Sequence, residues 1–129
     1  MRKIIRQLSW FVAVGCAAAA THWLIAVLAV RFLGYAPLIA NVIGWLVAFC
    51  VSFAGHYQFT FKHQRAPLAK AARRFFMVSA LGFSVNEIAY AYLLRATTVR
   101  YDILLALILI AIAAMTFILG RFWAFRHKT

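Results

Sequence analysis

The sequence contains very few acidic residues. Only Glu87 and Asp102 carry carboxylates, against 14 lysines and arginines in 129 residues. Acid–base and nucleophilic catalysis usually need a carboxylate or a histidine held beside a partner group. The sequence shows no paired carboxylates, no Ser/His/Asp arrangement and no glycine-rich phosphate loop. We therefore expect no catalytic residues and interpret the chain as a protein that is not an enzyme.

Cysteine is as scarce as acidic residues, with two of each in the chain. Cys16 and Cys50 both lie within apolar stretches, and neither belongs to a CxxC or a Cys/His pair with the spacing of metal ligands. A free cysteine in such a setting behaves as a small buried hydrophobic residue. We expect no metal site and no cofactor.

Apolar residues, in contrast, make up 67% of the chain and give it a mean hydropathy of +0.89. A soluble domain of this size has too little interior to bury that much apolar surface. The residues form four runs of about 20, the length a helix needs to cross a bilayer. The sequence therefore predicts an all-α integral membrane protein with four transmembrane helices, at approximately Trp10–Val30, Pro37–Phe59, Phe75–Leu94 and Ile103–Trp123.

Basic residues are concentrated beside alternate runs. Three of the 14 lie in the two connections that follow the first and third runs, and the other eleven lie at the termini or in the central connection. This bias predicts that both termini and the central loop are cytoplasmic. Because the charges lie at the ends of runs, we expect membrane lipids and not nucleic acid as partners. Arg73 and Arg74 are interpreted as a cytoplasmic basic surface, which sets topology first and contacts ligand second.

The two halves of the chain superpose without a gap after a shift of 64 residues. Phe11 then falls on Phe75 and Arg31 on Arg95, and hydropathy and loop charge repeat at the same offset. Each half is a two-helix hairpin, so the repeats should be parallel and related by an axis along the membrane normal. We predict one domain over residues 1–129, with repeat 1 at about 10–61, a basic cytoplasmic loop at 62–74 and repeat 2 at about 75–125.

Small and polar residues share a helix face in both predicted repeats. Their spacing is i, i+3 and i+7, which lets helices approach and directs the polar group into the bundle. The matched sets are Gly15, Ala18 and His22 in the first helix and Ser79, Gly82 and Asn86 in the third.

A further stripe of small residues, Ala40, Gly44 and Ala48, lies on the second helix. Small residues four apart predict close helix packing, within one chain or between subunits.

Glu87 is the only acid within a predicted span, where a charge costs roughly 2.5–3.5 kcal/mol on insertion scales. It either serves transport, by taking up a proton or accepting hydrogen bonds from a sugar hydroxyl, or is held by Tyr90 or by His22. Asp102 and Arg100 flank one residue and are expected to form a surface pair of little energetic weight.

Aromatic residues occupy the predicted cytoplasmic ends of the second and fourth helices, the headgroup level of a bilayer. Arg121 lies four residues inside Phe125, where it either snorkels as a topology anchor or binds a phosphate with its planar guanidinium. His56 and Gln58 supply donors at a similar level in the first half.

Several of these residues resemble the GtrA-like family of small bacterial membrane proteins. The resemblance covers nearly the whole chain. The matching residues are Arg6, Phe11, Val14, Gly15, Asn41, Gly44, Ser52, Phe53, Phe59, Thr60, Phe61, Arg74, Phe75, Val78, Asn86, and 121–125.

The resemblance implies a role in cell-envelope polysaccharide synthesis, in which a polyprenyl-phosphate-linked sugar is flipped across the bacterial cytoplasmic (inner) membrane. On that interpretation Arg121, His56 and Gln58 bind the phosphate, while His22, Asn86 and Glu87 form an intramembrane path for the sugar. Because four helices enclose little volume, we expect a homo-oligomer.

Two other functions are open at this stage. A non-transporting anchor could recruit or stabilise a glycosyltransferase through its basic cytoplasmic surface. A small proton-coupled multidrug exporter would also have four helices and one intramembrane acid, although such exporters usually carry the acid in the first helix, where this chain has His22.

Overall fold

The computed structural model describes residues 2–60, 62 and 66–119, and for residues 116–119 the backbone alone. Within these residues every regular element is helical, as the sequence predicts. The helices are α1 (Arg2–Leu33), α2 (Pro37–Gly55), α3 (Leu68–Ala96) and α4 (Tyr101–Leu119), and a π-helical turn (His56–Thr60) continues α2.

Three segments of the described chain are long and apolar enough to cross a membrane. They are Arg2–Leu33, Pro37–Thr60 and Leu68–Ala96. α4 is apolar over the shorter stretch Tyr101–Met115, and the predicted fourth span continues to residue 123, outside the described residues.

The connection between α1 and α2 is short because its residues stop one helix and start the next. Gly34 has φ +73°, a left-handed conformation that glycine adopts without the strain a side chain would cause. Pro37 then begins α2, where its missing N–H loses no intrahelical bond. We call the end of the bundle with connections 34–36 and 97–100 the far end, and the opposite end, which carries Arg2, Arg73 and Arg74, the basic end.

α3 begins at Leu68, directly after Pro67, and so includes residues predicted to lie in the basic loop at 62–74. Alanine, lysine and arginine favour helix, which accounts for the earlier start. Lys70, Arg73 and Arg74 consequently lie on the first two turns of α3, and all three are exposed.

α1 and α2 pack closely because glycine faces α1 at two positions. A Cβ at Gly44 would lie 2.6 Å from the backbone oxygen of His22, and one at Gly55 would lie 2.6 Å from Cγ1 of Val14. Ala40 and Ala48 on the same stripe are buried. The prediction of close packing along this stripe is therefore confirmed within one chain.

The small residues of the other two stripes do not bring helices together. A Cβ at Gly15 or Gly82 would meet no described heavy atom within 4 Å. The expectation of close approach at these two glycines was wrong, because no described part of a neighbouring helix reaches them.

The hydrophobic core lies toward the far end. It draws residues from all four helices: Ala26, Ala29, Ala40, Tyr90, Leu104, Leu105 and Ile108. Toward the basic end the helices are joined mainly by aromatic rings, including the contacts of Phe49 with Phe75 and Phe76.

Candidate functional site

A buried amide, Asn41 of α2, connects three polar residues that the sequence placed in the sugar path. Its Oδ1 lies 2.6 Å from Nε2 of His22 on α1. Its Nδ2 donates to Oδ1 of Asn86 at 2.8 Å and to Oε1 of Glu87 at 3.0 Å, both on α3. We call His22, Asn41, Asn86 and Glu87 the Asn41 cluster.

The hydrogen-bond roles within the Asn41 cluster follow from the chemistry of the amide. Both hydrogens of Nδ2 are used by Asn86 and Glu87, so Oδ1 must accept and Nε2 of His22 must donate. Asn41 has no exposed surface, and His22 and Asn86 are also buried. Three helices are thus joined by polar bonds in the apolar interior.

Glu87 is held differently from both sequence-based alternatives. The hydroxyl of Tyr90 donates to the backbone oxygen of Tyr101 at 3.1 Å instead of to Glu87. The carboxylate meets Asn41, which stands between it and His22. The expectation that Tyr90 or His22 holds Glu87 directly was therefore wrong, because the amide of Asn41 occupies the space between the helices.

Beside the Asn41 cluster a cleft of about 160 Å³ lies between α1, α2 and α3. His22 lines it together with Ala18 and Ala19 of α1, while α2 contributes Trp45, Ala48, Phe49 and Ser52 and α3 contributes Ser79. We call it the His22 cleft. The alanines leave the space open, and the hydroxyls and rings give it a mixed polar and aromatic wall.

Trp45 forms one side of the His22 cleft in a fixed orientation. Its indole N–H donates to Oγ of Ser79 at 2.8 Å. Its ring stacks on Phe83 with centroids 4.6 Å apart and planes 8° apart. An aromatic ring anchored in this way loses little rotational freedom when a ligand binds.

His56 and Gln58, two of the predicted phosphate residues, lie in the π-helical turn at the basic end. His56 is buried, its Nδ1 lies 2.8 Å from Oγ1 of Thr60, and its ring stacks with Phe11. Gln58 is exposed. Arg121, the third predicted phosphate residue, lies outside the described residues. The phosphate site stays a prediction.

Asp102 is the centre of a second polar cluster, at the far end. Its two carboxylate oxygens accept from Nε of Arg100 at 2.7 Å and from Nη2 at 3.0 Å, and Nη2 of Arg31 lies 3.5 Å away. Oδ1 also accepts from the backbone N–H of Ile103 at 2.9 Å, at the start of α4. We call Arg31, Arg100 and Asp102 the Asp102 cluster.

The expected ion pair between Arg100 and Asp102 forms, but only its arginine is exposed. Asp102 is only 5% exposed, and its backbone oxygen accepts from the indole of Trp23 on α1 at 2.8 Å. Asp102 therefore connects α4 to α1, through its backbone oxygen to Trp23 and through its carboxylate to Arg31. Its hydrogen bonds raise the pKa of the Arg100 guanidinium, which keeps the arginine charged.

Sequence reasoning missed the roles of Asn41, Trp45 and Asp102. A signal existed for Asn41, since an amide within an apolar run must find a partner, but the family resemblance was the sole reason for noting it. Among the described residues, no group of three or more His, Cys, Asp or Glu side chains could hold a metal. Cys16 and Cys50 are free and exposed.

These features define a small all-α membrane protein whose polar residues bind one another within an apolar bundle. The chain belongs to the family described as GtrA/DPMS, transmembrane domain, which matches residues 10–125. The resemblance noted in the sequence is thereby confirmed. The family connects this membrane protein with glycosyl-lipid-related processes and is generally not catalytic in itself. No curated protein and no solved structure matches the chain.

Proposed function

We propose that this protein flips a polyprenyl-phosphate-linked sugar across the bacterial cytoplasmic membrane, for cell-envelope polysaccharide synthesis or glycosylation. The observation that carries the proposal is the Asn41 cluster, four polar side chains joined across three helices in an apolar bundle. Polar residues at such positions are costly in lipid and commonly mark a substrate pathway.

The Asn41 cluster suits a sugar because it contains both hydrogen-bond donors and hydrogen-bond acceptors. A sugar hydroxyl that leaves water needs both a donor and an acceptor as partners. An unpaired polar group in hydrocarbon costs on the order of several kcal/mol. Amide, imidazole and carboxyl groups supply them at one level of the bundle. The isoprenoid tail would remain in lipid, against the exposed apolar faces of the helices.

The phosphate would be bound at the basic end, which the positive-inside rule assigns to the cytoplasm. Arg121 offers a bidentate contact, and Gln58 is exposed in the π-helical turn at this end. His56, buried beside Thr60, would contribute after a local rearrangement or by orienting that turn.

Transport assays on Arg121→Ala test the phosphate contact. In liposomes that contain only the purified protein, we expect the variant to lose the movement of a labelled polyprenyl-phosphate sugar while expression and insertion stay normal. Arg126→Ala, also a basic residue of the C-terminal segment, is the matched control and should keep transport. Wild-type transport in Arg121→Ala would remove the phosphate site proposed for Arg121.

A second candidate function, recruitment of a glycosyltransferase, is favoured by one observation. Lys70, Arg73 and Arg74 are exposed on the first two turns of α3, where a cytoplasmic partner could bind them. Recruitment predicts that Gln at these three positions abolishes glycosylation in cells while purified protein still flips the lipid. Topology must be checked first, since loss of positive charge can invert a helix.

We also propose that the protein acts as a homo-oligomer. The cleft between α1, α2 and α3 has a volume of about 160 Å³, less than the roughly 300–1,000 Å³ of sites that enclose a drug-sized ligand. A second copy would complete the enclosure. Crosslinking in native membranes would test this, and a monomer that transports at the full rate would contradict it.

A further inference from the structure

We propose that the His22 cleft binds the sugar ring of the lipid-linked substrate, with the ring against Trp45 and its hydroxyls bonded to Ser52, Ser79 and His22. This inference rests on the proposed function, and it assigns the sugar a defined site below the Asn41 cluster. The three observations that carry it are the position of the cleft, the donors that its hydroxyl groups keep available, and the lack of Lys, Arg, Asp and Glu among the described residues that line it.

The cleft lies between the two regions that the substrate must contact. Ser79 precedes Asn86 by seven residues along α3, or ~10 Å, and Ala18 precedes His22 by one turn of α1, so both lie toward the basic end. One turn of α2 separates Ser52 from His56, or ~6 Å. A sugar in the cleft would therefore place its phosphate near the π-helical turn.

The hydroxyl groups of the cleft are available for a ligand. Elsewhere in the bundle a helical hydroxyl bonds the carbonyl one turn earlier, as Thr21 does with Ala17 and Ser84 with Ala80, each at 2.8 Å. In the described part of the chain, Ser52 makes no side-chain hydrogen bond. Ser79 accepts from Trp45 and so keeps its own hydrogen to donate.

The chemistry of the wall selects a neutral, ring-sized ligand. The described residues that line the cleft include no lysine, arginine, aspartate or glutamate, so they do not suit a phosphate. A small cleft of about 160 Å³ suits a single ring better than a longer chain of sugars. Trp45 offers a rigid aromatic surface for the C–H face of the ring.

Binding measurements with two lipids separate the sugar from its carrier. Purified protein in nanodiscs is titrated with polyprenyl phosphate and with polyprenyl phosphate bearing glucose, galactose or mannose. Of the three sugar-bearing lipids, the one that the wild type binds most tightly is then used to compare the variants. Ala18→Leu fills the cleft, and Ala17→Leu, at an exposed neighbouring position, is its matched control. Ser52→Ala removes an unused hydroxyl, and Ser84→Ala removes one that is already bonded within its helix.

The expected result is a loss specific to the sugar. Ala18→Leu should weaken binding of the sugar-bearing lipid by about tenfold or more, through steric exclusion, and leave binding of polyprenyl phosphate unchanged. Ser52→Ala should weaken binding of the same lipid by about threefold, which corresponds to the loss of one hydrogen bond. Ala17→Leu and Ser84→Ala should bind both lipids as the wild type does.

Three results would overturn the assignment. Equal weakening of both lipids in Ala18→Leu would show that the cleft holds the isoprenoid tail. Unchanged binding of both would show that it holds neither part of the substrate. A wild type that binds no sugar-bearing lipid more tightly than polyprenyl phosphate would show that it has no sugar site. If instead sugar-specific binding follows the predicted pattern but liposomes show no flipping, the proposed function would be wrong. The assignment of the His22 cleft as a sugar site would still hold.

Discussion

The bundle satisfies its buried polar groups in two different ways, according to where they lie. In the Asn41 cluster neutral side chains dominate, and one amide serves three partners on two helices. In the Asp102 cluster a single carboxylate, 5% exposed, is held by two arginines whose side chains are more than half exposed. The first cluster borders a cleft, while the second closes the far end of a packed core.

The comparison indicates that the Asn41 cluster can exchange its hydrogen-bond partners, whereas the Asp102 cluster holds helices together. An arginine can reach the aqueous boundary while its partner carboxylate stays covered, so an ion pair is tolerable at a helix end. Between helices in hydrocarbon an amide is less costly, and its bonds can pass to a ligand of similar polarity. We therefore expect changes in the Asn41 cluster to alter transport and changes in the Asp102 cluster to alter stability.

Asn41→Leu should have the largest effect, on both properties. It removes three hydrogen bonds worth ~0.6 kcal/mol each in membrane proteins, so the free energy of unfolding should fall by about 2 kcal/mol. Transport should be lost, since the polar partners lose their common contact. Unfolding in bicelles and flipping in liposomes measure the two effects.

Leu46→Ala on the exposed face of α2 is the control for Asn41→Leu. It should change neither property. An Asn41→Leu protein with wild-type transport would remove the Asn41 cluster from the sugar path, whatever its stability.

Asp102→Asn should be the next largest change, and it should act on stability alone. The amide keeps the shape of the side chain but loses the ionic attraction to Arg31 and Arg100. The unfolding temperature of the bundle should therefore fall by several degrees. Below that temperature transport should equal that of the wild type. Thermal unfolding followed by tryptophan fluorescence and a flipping assay well below the transition would show this. A folded Asp102→Asn protein that fails to transport would contradict the division between the clusters.

Glu87→Gln should have the smallest effect of the three. Glutamine keeps the oxygen that accepts from Asn41, so transport should remain within about threefold of the wild type, the value of one hydrogen bond. Glu87→Leu, which removes that acceptor, should lose much more. Abolished transport in Glu87→Gln would instead indicate that Glu87 takes up a proton during the cycle.

Much of the architecture followed from local sequence properties. The apolar runs predicted the helices, and the spacing of Ala40, Gly44 and Ala48 predicted close packing on that face of α2, because periodicity along one helix is visible in sequence. Helix ends were less well predicted: α3 starts at Leu68, since the basic residues of the expected loop are themselves good helix formers.

The site was predicted only in part, for a physical reason. His22, Asn86 and Glu87 stood out because polar groups are rare in apolar runs, and the structure brings them to one amide. Which groups bond one another depends on helix rotation and on contacts between distant residues. For that reason the sequence did not reveal the central place of Asn41, the bond from Trp45 to Ser79 or the burial of Asp102.

The most direct test of the proposed function is transbilayer movement of a labelled polyprenyl-phosphate sugar in liposomes containing only this protein. A flippase should give movement well above that in protein-free liposomes, retained in Asp102→Asn and lost in Asn41→Leu. Movement at the protein-free rate with several sugars, in a protein shown to be folded, would contradict flipping and favour the recruitment function.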